Sequence, residues 1–107
     1  MIRGDVYWFK FRAPNKRRPV VVLTRQSAIP FLNSVIVAAV TSTVRHLPSE
    51  VIIGPEDGMP VVCGVNLHHI HYASKSQLER WVTRLGPERM GQIRDAILYT
   101  LQLEKPD

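Results

Sequence analysis

The chain has 107 residues and a net charge of +5, with 45% hydrophobic residues and one cysteine. This length permits one domain with a single modest core, and the hydrophobic content excludes a disordered chain. One cysteine excludes an intramolecular disulfide and a cysteine-based zinc cluster. The longest apolar run is too short to cross a bilayer, and the N-terminus lacks a signal-peptide pattern. We therefore expect one cytosolic domain, residues 1–107, without a metal or other cofactor.

The positive charge is concentrated in the N-terminal half. The first 49 residues contain eight basic residues and one acidic residue, a net charge of +7, whereas the remaining residues carry −2. Between Val6 and Ser49 there is no Asp or Glu. Such asymmetry within one small domain implies a positive face, the usual signature of a site for a polyanion. Nucleic acid is therefore the first partner to expect.

Six short runs rich in β-branched and aromatic residues, separated by turn residues, predict six strands. The predicted strands are residues 1–11, 19–24, 34–41, 51–53, 61–70 and 81–85. Because proline cannot donate to a sheet ladder, we place Pro19 at the first residue of the second strand. The fifth strand is expected to be less regular because Gly64 interrupts it.

The last segment has the pattern of a helix. Pro87 suits the first helical position, and Glu88 in the first turn complements the helix dipole. Apolar residues then recur at spacings of three and four, at Met90, Ile93, Ile97 and Leu101. We expect this helix to run to about residue 103. Several short strands and one packed helix predict a mainly β domain, as a strongly curved sheet or a partly open barrel.

Two polar residues stand at the ends of the second and third strands. Arg18 follows the basic loop 14–17, and Thr41 ends the third apolar run, just before Ser42. If these strands pair antiparallel, Arg18 and Thr41 can lie at the same edge of the sheet. A guanidinium beside a hydroxyl suits an oxyanion or a phosphate. Strand propensity alone explains both residues as ordinary strand ends, so their pairing is a hypothesis at this point.

Four segments of the chain follow one another in an informative order. They are Arg3-Gly4-Asp5-Val6-Tyr7-Trp8, Arg18-Pro19-Val20-Val21-Val22-Leu23, Val37-Ala38-Ala39-Val40-Thr41-Ser42 and Leu47-Pro48-Ser49-Glu50-Val51. In order and spacing they resemble the MazF/PemK family of toxins from bacterial toxin–antitoxin systems, over nearly the whole chain. The resemblance implies a homodimer of small SH3-like β-barrels of the CcdB/PemK-like type. It also implies metal-independent cleavage of single-stranded RNA at short sequence motifs, inhibited by a cognate antitoxin protein.

The resemblance also implies roles for individual residues. The family's catalytic arginine and threonine correspond here to Arg18 and Thr41. Metal-free RNA cleavage requires proton transfer and stabilisation of extra charge on the phosphoryl oxygens. Because arginine stays protonated near neutral pH, we assign Arg18 to charge stabilisation and Thr41 to hydrogen bonding with phosphate. The residues expected to bind RNA are Arg12, Lys16, Arg17, Ser42, Arg45, His68 and His69.

Two departures from the family pattern stand out. The loop before the arginine is short and has no carboxylate, and His68-His69 replaces an acidic residue followed by Gln. Because successive strand residues face opposite ways, we expect only one of these histidines to face RNA. We favour His69, as a base contact or an auxiliary proton carrier, with His68 as the alternative. The same alternation separates His68 from His71 and argues against a zinc site. Otherwise these histidines simply face the interior or solvent.

Two other functions remain open from the sequence. A CcdB-like toxin would poison DNA gyrase without hydrolysis, but that activity requires a partner-binding C-terminal surface. In this chain the charge and the matching motifs lie in the N-terminal half. An RNA-binding relative that has lost catalysis is the other alternative, because of the two departures.

Overall fold

The structure, a computed structural model, describes residues 1–12 and 16–106. Its strands are β1 (Asp5–Lys10), β2 (Arg17–Val22), β3 (Ser34–Thr41), β4 (Glu50–Ile53), β5 (Cys63–Ser74) and β6 (Leu78–Arg84). One α-helix, α1, spans Pro87–Thr100. Short 3₁₀ turns lie at Ile29–Phe31, Pro55–Asp57 and Lys75–Gln77. In the described part of the chain, no helix has the length and apolar character needed to span a membrane.

All six strands form one antiparallel sheet in the order β4-β5-β3-β2-β1-β6. The predicted mainly β class with a C-terminal helix is confirmed. The sheet is not closed into a barrel, because among the described residues the edge strands β4 and β6 do not pair, in keeping with the predicted curved sheet or partly open barrel. Helix α1 packs on β4 and β5 and covers the core on that face of the sheet. In a closed barrel, strands would cover it.

Residues 20–22 of β2 and residues 37–40 of β3 are buried on both faces of the sheet, which explains the nearly continuous apolar runs of these strands. Val21 of β2 packs with Ile93 and Ala96 of α1 in one core cluster. Val20 and Val22, the alternate residues of β2, pack in a second cluster on the opposite face. That second cluster also contains Phe9, Ile29, Val35, Val37 and Ala73. Because β2 contributes side chains to both clusters, its polar residues lie at one end of the strand.

The strand prediction for residues 34–41 is confirmed, whereas the start of β2 is wrong. Strand β2 begins at Arg17, so Pro19 is its third residue and pairs with Trp8 of β1. Pairing of β2 with β3 begins only at Val20. Pro19 therefore has a partner strand on one side alone, which is how a sheet accommodates the missing proline N–H.

Strand β5 is irregular, but not at Gly64. Gly64 pairs in register with Thr41 and with Ile52. A Cβ at Gly64 would come within 2.8 Å of the Glu50 side chain, so glycine permits the close approach of β4. The register instead breaks between Asn66 and Ile70, which leaves residues 67–69 as a bulge opposite β3.

Other element bounds also differ from the predictions. Strand β1 begins at Asp5 rather than residue 1, because Gly4 turns the chain with a φ of 98°. Strand β6 begins at Leu78, earlier than the predicted residue 81. Helix α1 ends at Thr100, and Leu101 is 52% exposed, so Leu101 does not continue the apolar stripe.

Candidate active site

Arg18 and Thr41 lie at one edge of the sheet, as antiparallel pairing predicted. The register of β2 with β3 ends at the pair Val20 and Ala39, and Arg18 and Thr41 each lie two residues beyond this pair, toward the same end of the sheet. Both residues line one pocket of about 210 Å³. The same pocket is lined by Trp8, Ser42 and Cys63, among others. The structure thus brings together two strand ends that are distant in sequence.

The pocket combines an apolar wall with a small polar group. Trp8, Met59 and Val61 supply apolar surface, while Arg18, Thr41 and Ser42 supply donors. The Thr41 hydroxyl oxygen accepts a hydrogen bond from the Thr43 backbone N–H at 3.1 Å. Because a hydroxyl has one donor as well as acceptor sites, Thr41 can still donate to a ligand. An anion with an attached aromatic ring fits this combination of groups.

Trp8 and Glu79 are site residues that the sequence did not predict. Trp8 reaches the pocket because β1 pairs with β2 and sets Trp8 opposite Pro19. Glu79 lies on β6, and its carboxylate is 3.3 Å from Arg17 Nη2. A neighbouring pocket of about 570 Å³ is lined by Trp8, Arg17, Glu79 and Arg80. The basic loop has no carboxylate of its own, but the sheet order supplies one from β6.

Three other predicted basic residues, Arg12, Lys16 and Arg45, are exposed and lie outside the pocket lining. Arg12 and Lys16 flank residues 13–15, which fall outside the described residues. The first half of the predicted loop 14–17 is therefore outside them as well. Arg45 lies in the connection between β3 and β4, where its backbone N–H donates to Glu50 Oε1 at 2.8 Å. Of the predicted RNA-binding residues, Arg17 and Ser42 line the Arg18 pocket. Arg12 and Lys16 lie on the segment that leads into β2, and Arg45 lies on the segment that leaves β3.

The histidines of β5 do not behave alike. His68 is exposed, and its backbone N–H donates to Asn66 Oδ1 at 3.0 Å. His69 is half-buried, and its Nε2 lies 2.7 Å from His71 Nε2. Residues two apart on a strand share a face, which explains this contact. The His-x-x-His spacing in the sequence suggests that His68 and His71 act together, but in the structure His69 is the histidine that contacts His71.

The environment of His69 lowers the pKa of its imidazole. Burial is the main reason that the pKa of His69 falls below its ordinary value, and the charges of His71 and Arg18 lower it further. Phe11 packs against both rings, with centroids 5.2 Å from His69 and 4.8 Å from His71. Within residues 1–12 and 16–106, no three His, Cys, Asp or Glu side chains converge as metal ligands.

Comparison with known proteins assigns the family. Residues 2–101 match the family described as PemK-like, MazF-like toxin of type II toxin-antitoxin system. The chain belongs to this family. A relative in Mycobacterium tuberculosis, the probable endoribonuclease MazF5, is 42% identical over 96 residues, which cover 89% of this chain and 87% of the relative.

Solved structures of MazF-like toxins have the same fold. The Mycobacterium tuberculosis toxin MazF-mt6 superposes with a TM-score of 0.85 and 27% identity, covering 94% of this chain and 99% of that chain. An endoribonuclease in complex with its cognate antitoxin, from a mycobacterial species, superposes with a TM-score of 0.86 and 24% identity, covering 99% of each chain. At that identity the second comparison supports the fold alone.

In this MazF-like toxin, the segment that resembles the family at the N-terminus has a structural role. Asp5 is buried, and its carboxylate accepts hydrogen bonds from the Ile2 backbone N–H at 2.8 Å, Arg84 Nε at 2.7 Å and Trp81 Nε1 at 3.2 Å. Burial alone would raise the pKa of Asp5, but the hydrogen bonds from Arg84, Ile2 and Trp81 outweigh it and lower the pKa. Asp5 therefore ties the start of β1 to β6.

Proposed function

We propose that this MazF-like toxin is an endoribonuclease that cleaves single-stranded RNA at short sequence motifs without a metal. Arg18 and Thr41 are its catalytic pair. The observation that supports this most strongly is their meeting in one pocket of about 210 Å³ at the ends of β2 and β3. The 42% identity to a protein named a probable endoribonuclease supports the same activity.

The pocket offers a complementary group for each part of the reacting RNA. The guanidinium of Arg18 donates to two phosphoryl oxygens as negative charge grows on them in the transition state. Thr41 donates its hydroxyl proton to the same phosphate, with its orientation fixed by the Thr43 N–H. Trp8 provides a surface on which a neighbouring base stacks. The ribose 2′-OH attacks phosphorus, and the products are a 2′,3′-cyclic phosphate and a free 5′-OH.

The partners we propose follow from family and charge. The family description is that of the toxin of a toxin–antitoxin pair, so we expect a cognate antitoxin whose acidic segment competes with RNA on the basic face. We also propose a homodimer, because Ile36 and Tyr72 pair side by side and are 43% and 68% exposed. Sedimentation at micromolar concentration would show a dimer if this is correct and a monomer if not. Because its substrate is RNA, we place its action in the cytoplasm.

The test is incubation of the purified protein with a long single-stranded RNA in EDTA. Arg18→Ala and Thr41→Ala should each abolish cleavage while keeping the parent's melting temperature. Arg94→Ala, an exposed charge on α1 with 70% side-chain exposure, is the matched control and should cleave at the parent rate. Full activity in Arg18→Ala would remove this residue from the mechanism. Binding without cleavage by the parent would instead identify an RNA-binding relative, and neither activity would reopen the gyrase-poison alternative.

A further inference from the structure

His69 and His71 form a unit that has room for only one added proton. With Nε2 atoms 2.7 Å apart, one imidazole must donate an N–H to the lone pair of the other. Protonation of both rings would place two hydrogens between the same two nitrogens. The hydrogen bond between the two rings can therefore hold one added proton on the pair, and a second added proton would break this bond.

The pair faces the same side of the sheet as Arg18. His71 is opposite Val37 of β3, and Val37 shares a core cluster with Phe9, which is opposite Arg18 in the β1–β2 register. Among the described residues, the groups that face the two imidazoles can be named element by element. Strand β3 presents Val37, opposite His71, and the residue that follows β1, Phe11, places its ring against both imidazoles. The positive charge of Arg18 on β2 lowers the pKa of His69, after burial and His71.

We propose that His69 accepts the proton of the ribose 2′-OH during RNA cleavage and that His71 positions His69 and shares its charge. This inference rests on the proposed function. Arg18 cannot take this proton because it is already protonated near neutral pH. The arrangement requires His69 to donate Nε2–H to His71 Nε2, which leaves His69 Nδ1 free as the acceptor.

The proton balance of this step is complete. The 2′-oxygen loses its proton to His69 Nδ1 and forms a bond to phosphorus, and the bond between phosphorus and the 5′-oxygen breaks. The 5′-oxygen takes a proton from water, and His69 later returns its own proton to solvent. While His69 is charged, its Nε2–H donates to the neutral His71, and this charge-assisted bond stabilises the imidazolium.

The test is single-turnover RNA cleavage between pH 5 and 9, beside NMR titration of the imidazole resonances. In the parent, the rate should rise with pH as His69 loses its proton. His69→Gln should lower the rate by about 10²-fold and remove this inflection. His71→Leu should lower the rate, and His71→Gln should restore much of it because its Oε1 can accept the Nε2–H of His69. His46→Asn, at an exposed position with a φ of 57°, is the control and should match the parent.

The outcomes separate this inference from the proposed function. If the parent cleaves RNA but His69→Gln keeps the parent's rate and inflection, the inference is overturned and the proposed function stands. If the parent cleaves no RNA, the proposed function is overturned, and this inference with it. By NMR, the pH titration of the His69 ring should have a different midpoint in His71→Leu than in the parent. An identical His69 titration in the two proteins would also overturn the inference.

Discussion

Arg18, near the start of β2, and Thr41, at the end of β3, each lie two residues beyond the paired Val20 and Ala39. Both side chains line the same pocket. A shift of one residue in this register would turn one of them to the other face of the sheet. Both faces are buried against separate core clusters, so the packing that stabilises the fold also fixes the geometry of the candidate site.

The hydroxyl of Thr41, rather than its shape, should matter for cleavage. Thr41→Val keeps the β-branched shape and removes the donor, so we expect the single-turnover rate to fall by roughly 10²- to 10³-fold, as for loss of one donor to a transition-state oxyanion. Thr41→Ser keeps the donor and should retain most of the rate. Equal rates for the two variants would show that Thr41 serves only the packing of β3.

The exposed cations around the pocket should contribute salt-dependent RNA affinity. We expect Ala at Arg12, Lys16, Arg17 or Arg45 to weaken binding at low salt. Each substitution should also reduce the slope of log K against log salt by about 0.7 for every phosphate that is no longer neutralised. Kd measured for a single-stranded RNA between about 50 and 200 mM salt provides the test, with Arg94→Ala as control. Slopes identical to the parent in all four variants would require another explanation for the basic face.

The ion pair of Arg17 with Glu79 should restrain RNA binding. The pair joins side chains that are 62% and 37% exposed, so its contribution to the free energy of unfolding is small. Glu79→Gln should therefore leave the melting temperature nearly unchanged, free Arg17 for phosphate and tighten RNA binding. In the Arg17→Ala background, the same substitution should tighten binding less. If Glu79→Gln instead weakens binding, the carboxylate itself contacts RNA.

Asp5 should make the stability of the fold sensitive to acid. Because its pKa is lowered in the folded state, its contribution is present above the ordinary aspartate pKa of about 3.9 and is lost as pH falls through the lower folded value. Asp5→Ala removes the acceptor for Trp81 and the Ile2 N–H, so we expect a loss of about 1–3 kcal/mol in the free energy of unfolding at pH 7. Denaturant unfolding at pH 7 and pH 3 should show a smaller difference in the variant. An unchanged difference would contradict the role of Asp5.

The parts of the fold that could be predicted are those that local sequence determines. The apolar run of β3 and the start of α1 at Pro87 follow from side-chain preferences, and both are confirmed. The bulge at residues 67–69 depends on bonds to distant groups, such as the Leu67 N–H to Ser49 O at 3.0 Å. The positions of Glu79 and Trp8 depend likewise on the sheet order, in which β6 lies beside β1. The order of the strands in the sheet cannot be predicted from a local sequence pattern.

The most direct measurement of the central claim compares two RNA strands in EDTA, one all-ribose and one with a single 2′-deoxy sugar at the cleaved linkage. We predict that the all-ribose strand is cut to a 2′,3′-cyclic phosphate and a 5′-OH at that linkage. The deoxy strand should bind with the same Kd and remain uncut at that position, because it lacks the attacking hydroxyl. Equal cleavage of both strands at that linkage, or no cleavage of either in EDTA, would contradict metal-independent cleavage by the Arg18 and Thr41 pocket.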